Sequence, residues 1–444
     1  MTEITEIPTW TRFAKPSEVA NLRTLQAAGR QRFDDAGLEL DAEEWRFTNI
    51  NPLIQAAASA VLCGPSAGAE VETLLGANTL REYNAIELVF VNGRFAADLS
   101  TLGNLPPGLY VGPLSGMSRL AESLGTQTRL SKTPFIALNA AFLTDPAVVH
   151  VARGAAIDRP IHVLAISTAS QPSMVHPRLL VVLEDGAKAQ IAETYASHTT
   201  GDLFCNAVTE IILAQDAVLD HVSVNVQGDS TYHIQATGVS LGRSAEFITH
   251  AVTLDTKWTR NDLEISLDGN HAHATLNGAV LLTKSHFCDT HTLIRHEKPE
   301  CTSHELYKHV IDDKAFGVFK GKILVRPGAQ KTDAKQTNKT LLVSDSAGME
   351  SMPALEIYAD DVKCTHGSTT GPLDEEMVFY LRSRGLSHEA ARSLLTYAFA
   401  ADVTRRIRIE AIRRRIEDYI AAQQDLPMDL RITESAAHDE AVRG

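Results

Sequence analysis

Two residues in the last fifth of the chain, Cys364 and His366, have the side-chain types and the spacing to bind one metal centre together. On an extended strand, residues two apart point to the same face, so the thiolate and the imidazole would face the same side. Sulfur and imidazole nitrogen are ligands that suit iron. Two ligands alone do not fill the coordination sphere of a metal ion. A buried cysteine beside a hydrogen-bonded histidine is the alternative interpretation.

A second group of histidines and cysteines lies upstream and is less regular. Its members are His286, Cys288, His291, His296, Cys301, His304 and His309. On a strand, His291 and Cys301 would face away from His286 and Cys288, and helical i, i+4 spacing is absent. We therefore interpret the group as turn and strand histidines with satisfied hydrogen bonds rather than as an independent metal site.

Motifs for catalysis by this chain are weak. The run Gly317–Lys322 superficially resembles a phosphate-binding loop, but its glycines are too close together, and Ile323 replaces the Mg²⁺-binding serine or threonine. No G-x-S-x-G elbow indicates a serine hydrolase. A β-helical carbohydrate-active enzyme would cluster carboxylates such as Asp255, Asp262 and Asp268, yet an aromatic content of 6% disfavours a sugar cleft. We expect a protein that is not an enzyme and that relies on an external ATPase if its process consumes ATP.

Composition and charge narrow the class of protein further. The 444 residues carry a formal net charge of -14, which repels a phosphate backbone, so we expect no nucleic-acid partner. The basic run from Arg405 to Arg415 is interpreted as a solvated helix face or a partner surface. Five scattered cysteines without C-x-x-C spacing fit reduced thiols. The N-terminus does not resemble a secretory signal, and no stretch reaches ~20 apolar residues, so we expect a cytoplasmic protein without a membrane span.

Helical patterns predict the first region, which runs to about residue 80. Ser17 can cap a helix that Gly37 ends, because a glycine accepts the left-handed conformation that follows a helix. The alanine-rich stretch from Pro52 to Leu62 predicts a second helix.

The middle of the chain, from Ile86 to about Ser344, shows short β-rich runs and almost no helical period. The predicted strands are Ile86–Val91, Leu179–Leu183, Val208–Leu213, Val218–Val226, Phe247–Leu254 and Gly321–Val325. Compact turns separate them, at 184–187, 215–217, 242–245 and 268–270, and a small or turn-forming residue precedes each new strand. The pattern recurs at intervals of roughly 25 to 30 residues, as in a solenoid. A β-sandwich is the competing fold, but a stretch of this length is long for one sandwich.

Helical patterns return near Leu373. Asp374 suits the first turn of a helix that Gly385 ends, and Ser387 opens the next one. A long basic helix is expected to continue to about Gln424. The helix that Ser387 opens carries an apolar stripe: Leu394, Leu395, Ala398 and Phe399.

Three runs in the last third resemble the SufB/SufD family of the SUF iron–sulfur cluster assembly system, and its SufD-type members in particular. They are AQKTDAKQTNKTLL (329–342), PALEIYADDVKCTHG (353–367) and FYLRSRG (379–385), in the family's order. The segment EEWRFT (43–48) resembles a short N-terminal element of the family. The element C-T-H-G at 364–367 favours SufD over its paralogue SufB, which carries an H-E-A element at the corresponding turn. A SufB-like main scaffold remains the close alternative.

The resemblance implies a mainly β fold, a right-handed parallel β-helix flanked by N-terminal and C-terminal α-helical domains. The corresponding regions would be 1–80, 81–372 and 373–444, with the last one docking a SufC-like ABC ATPase. It also implies a heterodimer with a SufB-like paralogue through the β-helix ends, and a transient iron–sulfur cluster shared with that paralogue. His366 would be the ligand, placed just after a strand, and Cys364 a supporting residue. Whether the isolated chain forms a homodimer stays open.

Overall fold

The computed structural model describes residues 20–64, 66–128, 133–144 and 146–426. These residues contain seven α-helices: α1 (Ala20–Ala36), α2 (Asn51–Ala57), α3 (Ala69–Asn78), α4 (Pro134–Phe142), α5 (Glu375–Ser383), α6 (His388–Thr404) and α7 (Glu410–Gln423).

Strands make up most of the chain between α2 and α5. They are β1 (Val61–Leu62), β2 (Ile86–Val91), β3 (Arg94–Phe95), β4 (Leu109–Pro113), β5 (Ala147–Val151), β6 (Ile161–Ala169), β7 (Ser173–Val175), β8 (Arg178–Leu183), β9 (Lys188–Thr199), β10 (Leu203–Leu213), β11 (Val218–Val226), β12 (Gly228–Leu241), β13 (Glu246–Leu254), β14 (Thr256–Leu267), β15 (His273–Leu282), β16 (Phe287–His296), β17 (Thr302–Ile311), β18 (Phe316–Val325), β19 (Asp333–Leu342), β20 (Gly348–Ile357) and β21 (Lys363–Gly371).

From β8 onward, successive strands alternate between two parallel sheets. Sheet 1 has the order β20-β18-β16-β14-β12-β10-β8-β5-β4, and sheet 2 has the order β21-β19-β17-β15-β13-β11-β9-β6-β2-β3. Tyr232 pairs with Trp258 and Phe316 pairs with Gly348, so one turn of the chain takes 26 to 32 residues. The fold is therefore a parallel β-helix, which confirms the predicted class and the predicted repeat.

The corners of the β-helix explain why the repeat is visible in the sequence. One residue at each successive corner has a φ between 55° and 68°: Gly186, Asp216, Ser244, His271, Glu300 and Lys331. The next residue is small and buried at four corners in a row: Ala187, Ala217, Ala245 and Ala272. A left-handed residue turns the chain sharply, and the small side chain fits inside the corner. This confirms the predicted small residue before each new strand.

The C-terminal helices cover the outer face of sheet 2. Helix α6 packs against β15 and β17, and its Phe399 ring lies 4.4 Å from the Lys308 ammonium group. Lys308 also pairs with Asp402 at 2.7 Å. The apolar stripe on α6 is thus largely covered by packing within the chain.

Several helix predictions need correction. The stretch from Pro52 to Leu62 is helical only to Ala57, after which Val61–Leu62 forms a short strand with β7. The long basic helix is interrupted between Thr404 and Glu410. The predicted stops at Gly37 and Gly385 are confirmed, with φ of 52° and 101°. Ser17 lies outside the described residues. No helix in the described residues is long and apolar enough to cross a bilayer.

Candidate functional site

Cys364 and His366 lie on β21, the last strand of sheet 2. This strand pairs with β19 on one side, and no other described strand pairs with its second side. His366 lies within the strand rather than just after it, which corrects that detail of the prediction. Both residues therefore belong to the terminal turn of the β-helix.

His366 continues a column of side chains that faces the interior of the β-helix. Glu305, Gln336 and His366 are register partners on three successive strands of sheet 2. Gln336 Nε2 donates to Glu305 Oε2 at 2.6 Å, and burial raises the pKa of Glu305 to about 7. In-register residues of a parallel sheet point to the same face. His366 is exposed, and no further turn in the described part of the chain covers it.

Cys364 is a half-buried thiol in the neighbouring interior column, opposite Ala334. Burial raises the pKa of the Cys364 thiol, and the nearby Asp333 carboxylate raises it further. A thiol must lose its proton to bind a metal, so an adjacent cation would have to offset both effects. The His366 side chain is exposed, so its ring is the more accessible donor of the two.

The backbone of β21 presents hydrogen-bond donors at its second side. The N–H of Lys363 donates to Thr332 O at 2.8 Å, across the pair of β21 with β19. Backbone N–H groups of successive residues point to opposite sides of a strand. The N–H groups of four residues therefore point away from β19: Cys364, His366, Ser368 and Thr370. The neighbouring edge strand β20 carries Pro353, which has no N–H to offer. β21 is thus the more complete template for strand pairing at this end.

The upstream group of histidines and cysteines is dispersed rather than assembled. Cys288 and His296 face the interior, whereas the His291 ring lies on the outer face, where its Nδ1 accepts a hydrogen bond from Arg260 Nη2 at 3.1 Å. His296 is held by Ser303 at 2.9 Å. The interpretation as histidines with satisfied hydrogen bonds is correct for His291 and His296. It is wrong for His309, whose two buried ring nitrogens make no hydrogen bond.

Other sequence predictions for this region have clear outcomes. Gly317–Lys322 forms part of the regular strand β18, so it is not a phosphate-binding loop. Asp262 pairs with Arg260 on the outer face of sheet 1, while Asp255 and Asp268 lie in turns at different corners. The three aspartates do not share a strand face, which removes the basis for a carbohydrate-active site.

Helix α5 exposes apolar side chains close to this end. Met377, Phe379 and Tyr380 are 47%, 70% and 51% exposed. The opposite side of the helix packs through Val378 against Leu341 of β19. We call Met377, Phe379 and Tyr380 the α5 patch. Such a cluster of large exposed apolar groups is characteristic of a protein-binding surface.

The N-terminal segment that contains Trp45 docks on the outer face of sheet 1. The Arg260 guanidinium lies 3.8 Å from the Trp45 ring centroid, and Glu44 pairs with Lys320 at 3.0 Å. A hydrogen bond from His291 lowers the pKa of Glu44 to about 2. A cleft of about 330 Å³ lies beside these contacts and is lined by residues of both the segment and the sheet. The segment therefore anchors the N-terminal helices to the β-helix.

Comparison with known proteins agrees with this architecture. Residues 165–399 match the SufBD core domain of the SUF iron–sulfur cluster assembly system, and residues 13–163 match the SufBD N-terminal region. An iron–sulfur cluster assembly SufBD family protein of Synechocystis is 33% identical over 86% of this chain and 86% of its own length. Iron–sulfur cluster assembly protein SufD of Escherichia coli is 31% identical over 84% of this chain and 86% of its own length. SufD of Bacillus subtilis is 24% identical over 64% of this chain and 65% of its own.

The chain belongs to the SufBD family of iron–sulfur cluster assembly proteins.

Proposed function

We propose that this protein is a SufD-type, non-catalytic scaffold subunit that works in the cytoplasm. It pairs with a SufB-like paralogue, docks a SufC-like ABC ATPase and shares a transient iron–sulfur cluster with the paralogue. The observation that carries the proposal is the position of His366 and Cys364 on β21. Their side chains belong to interior columns that reach the open end, and their N–H groups point to the unpaired side of the strand.

This arrangement supports a shared site for a physical reason. A partner strand that pairs with β21 would place its own side chains within a few ångströms of His366, since paired strands lie ~4.8 Å apart. The partner can then supply the ligands that two residues cannot. A cluster held by two chains is bound weakly by either one alone, which suits a cargo that must be transferred. We assign His366 as the ligand and Cys364 as the supporting residue.

ATPase docking is assigned to the C-terminal helices, and within them to the α5 patch. The stripe on α6 already packs on the β-helix, so it has little area left for a partner. Exposed aromatic side chains lose little conformational entropy on binding and often dominate an interface.

The experiment is a co-purification. The tagged full chain is co-expressed with the SufB-like and SufC-like proteins of the same organism, and the eluate is analysed by native mass spectrometry. We expect a complex that contains all three chains. Recovery of the tagged chain alone or only as a homodimer, with both partners expressed, would contradict the proposal.

A further inference from the structure

Three side chains from successive turns meet at one corner of the β-helix, where the chain passes from sheet 2 to sheet 1. Asp229 lies near the start of β12, Asp255 in the turn before β14, and His286 just before β16. One ligand atom from each lies within 4.8 Å of the others. Asp229 lies on β12, and Asp255 and His286 each directly precede a strand, so three paired strands fix the positions of the group.

The protonation of His286 leaves one ring nitrogen without a hydrogen-bond partner. Nε2 lies 2.7 Å from Asp229 Oδ1, and a carboxylate only accepts, so this nitrogen carries the proton. Nδ1 then holds a lone pair, makes no hydrogen bond and lies 3.5 Å from Asp255 Oδ1. The His286 side chain is only 4% exposed, so water does not reach this nitrogen easily. With Nδ1 unprotonated, its lone pair would face the Asp255 carboxylate, and a cation between the two atoms would bind both.

The separation of these atoms suits a metal ion. Two ligand atoms on a tetrahedral ion with bonds of ~2.0–2.1 Å stand ~3.3–3.4 Å apart. A carboxylate that receives the other ring N–H is the usual support for a metal-binding histidine, because it fixes the tautomer and the orientation of the ring. Asp229 has that position relative to His286.

The surrounding charge also favours a cation. Lys284 Nζ lies 2.6 Å from Asp229 Oδ2 and 3.8 Å from Asp255 Oδ1, while Asp313 accepts the backbone N–H of Lys284 at 2.8 Å. Two carboxylates thus contact a single ammonium group, and the third acts on it through its charge. Lys284 is 53% exposed on a flexible stem, so it can leave when a stronger cation arrives. Tyr419 of α7 lies beside Asp255.

We propose that Asp255 and His286, supported by Asp229, bind a divalent transition-metal ion that displaces Lys284. One imidazole nitrogen with carboxylate oxygens suits Zn²⁺, Fe²⁺ or Mn²⁺, whereas Ca²⁺ prefers oxygen ligands throughout. The site lies at a lateral corner of the β-helix and is separate from the terminal turn with His366. It stands independently of the proposed cluster function.

The test is isothermal titration calorimetry of the full chain with ZnCl₂, MnCl₂ or CaCl₂. A background that carries Cys364→Ser and His366→Ala removes the other predicted donors, so the two sites cannot be confused. We expect one saturable Zn²⁺ site, weaker Mn²⁺ binding at the same site and no saturable Ca²⁺ binding. Asp255→Asn and His286→Ala should each weaken Zn²⁺ binding by at least ~10-fold, as loss of a ligand or its support does. Lys284→Met should strengthen it, because the competing ammonium group is gone.

Matched controls decide the outcome. Asp268→Asn changes an aspartate in a turn at a different corner and should leave Zn²⁺ binding unchanged. Asp229→Asn alters a residue that is 56% exposed, so it tests the site even if His286→Ala does not fold. The proposal is wrong if Zn²⁺ shows no saturable binding, or if Asp229→Asn, Asp255→Asn and Asp268→Asn bind it equally. Equal affinity for Ca²⁺ would also overturn it, since that indicates a plain acidic patch.

Discussion

A proline at Ser368 should weaken pairing with the SufB-like paralogue without unfolding the chain. The Ser368 N–H points to the side of β21 that no described strand pairs with, so proline removes a donor that no described strand uses. In the proposed complex it would remove one inter-chain hydrogen bond and leave the partner's carbonyl unsatisfied. The combined cost is about 1–3 kcal/mol. That range corresponds to a dissociation constant raised by ~5- to 150-fold.

Two matched variants isolate this effect. Ser368→Val loses the same side-chain hydrogen bond to Ser351 at 2.8 Å but keeps the N–H, so it should bind almost as the parent does. Thr369→Pro removes an N–H that faces β19 instead, so it should lower the melting temperature of the isolated chain. Binding to the purified paralogue is measured by biolayer interferometry, and folding by thermal unfolding. If Ser368→Pro and Ser368→Val bind with the same affinity, the partner does not pair with this edge.

Three further predictions concern the α5 patch, the buried Arg178–Glu210 ion pair and the buried carboxyl of Asp220. Phe379→Ser with Tyr380→Ser should abolish detectable ATPase binding in a pull-down while leaving the melting temperature unchanged, since both side chains are exposed. Glu210→Ala should destabilise the chain by about 3–5 kcal/mol in urea unfolding, because Arg178 is then buried without its partner. Burial raises the pKa of Asp220 to about 6, so its carboxyl favours folding below its unfolded pKa near 4 and loses that contribution as pH rises through 6. Asp220→Asn should therefore gain more stability relative to the parent at pH 8 than at pH 4.5, a difference that urea unfolding at both pH values would reveal.

The β-helix could be predicted from the sequence because each of its turns contains the same kinds of residue at the corners. Left-handed turn residues and small buried residues recur at each corner, and the strands between them are rich in β-branched side chains. Helix α4 was not predicted, because all nine of its residues are buried and it therefore lacks an amphipathic period. The break between α6 and α7 was also missed. No glycine or proline marks it, and Ile407 and Ile409 on the connection are buried by tertiary packing.

The candidate site was only partly predictable. The spacing of Cys364 and His366 places both side chains on one face of a strand, as the structure has them. That the strand is the last one, and that its face is an interior column open to solvent, depends on the register of the β-helix. The corner formed by Asp229, Asp255 and His286 was missed for the same reason. Consecutive members are 26 and 31 residues apart in the sequence. Each of these intervals is one turn of the β-helix, which brings the residues side by side at one corner.

The most direct test of the proposed function compares iron–sulfur content in complexes that carry His366→Ala, Cys364→Ala or His304→Ala. The last variant removes an exposed histidine from β17, outside the site, and serves as the matched control. Each complex is purified anaerobically, and bound iron and acid-labile sulfide are measured per complex. We predict a sharp loss with His366→Ala, a milder loss with Cys364→Ala, no change with His304→Ala, and unaltered subunit composition in all three. Parental iron and sulfide content in the His366→Ala complex would contradict the assignment of His366 as a cluster ligand.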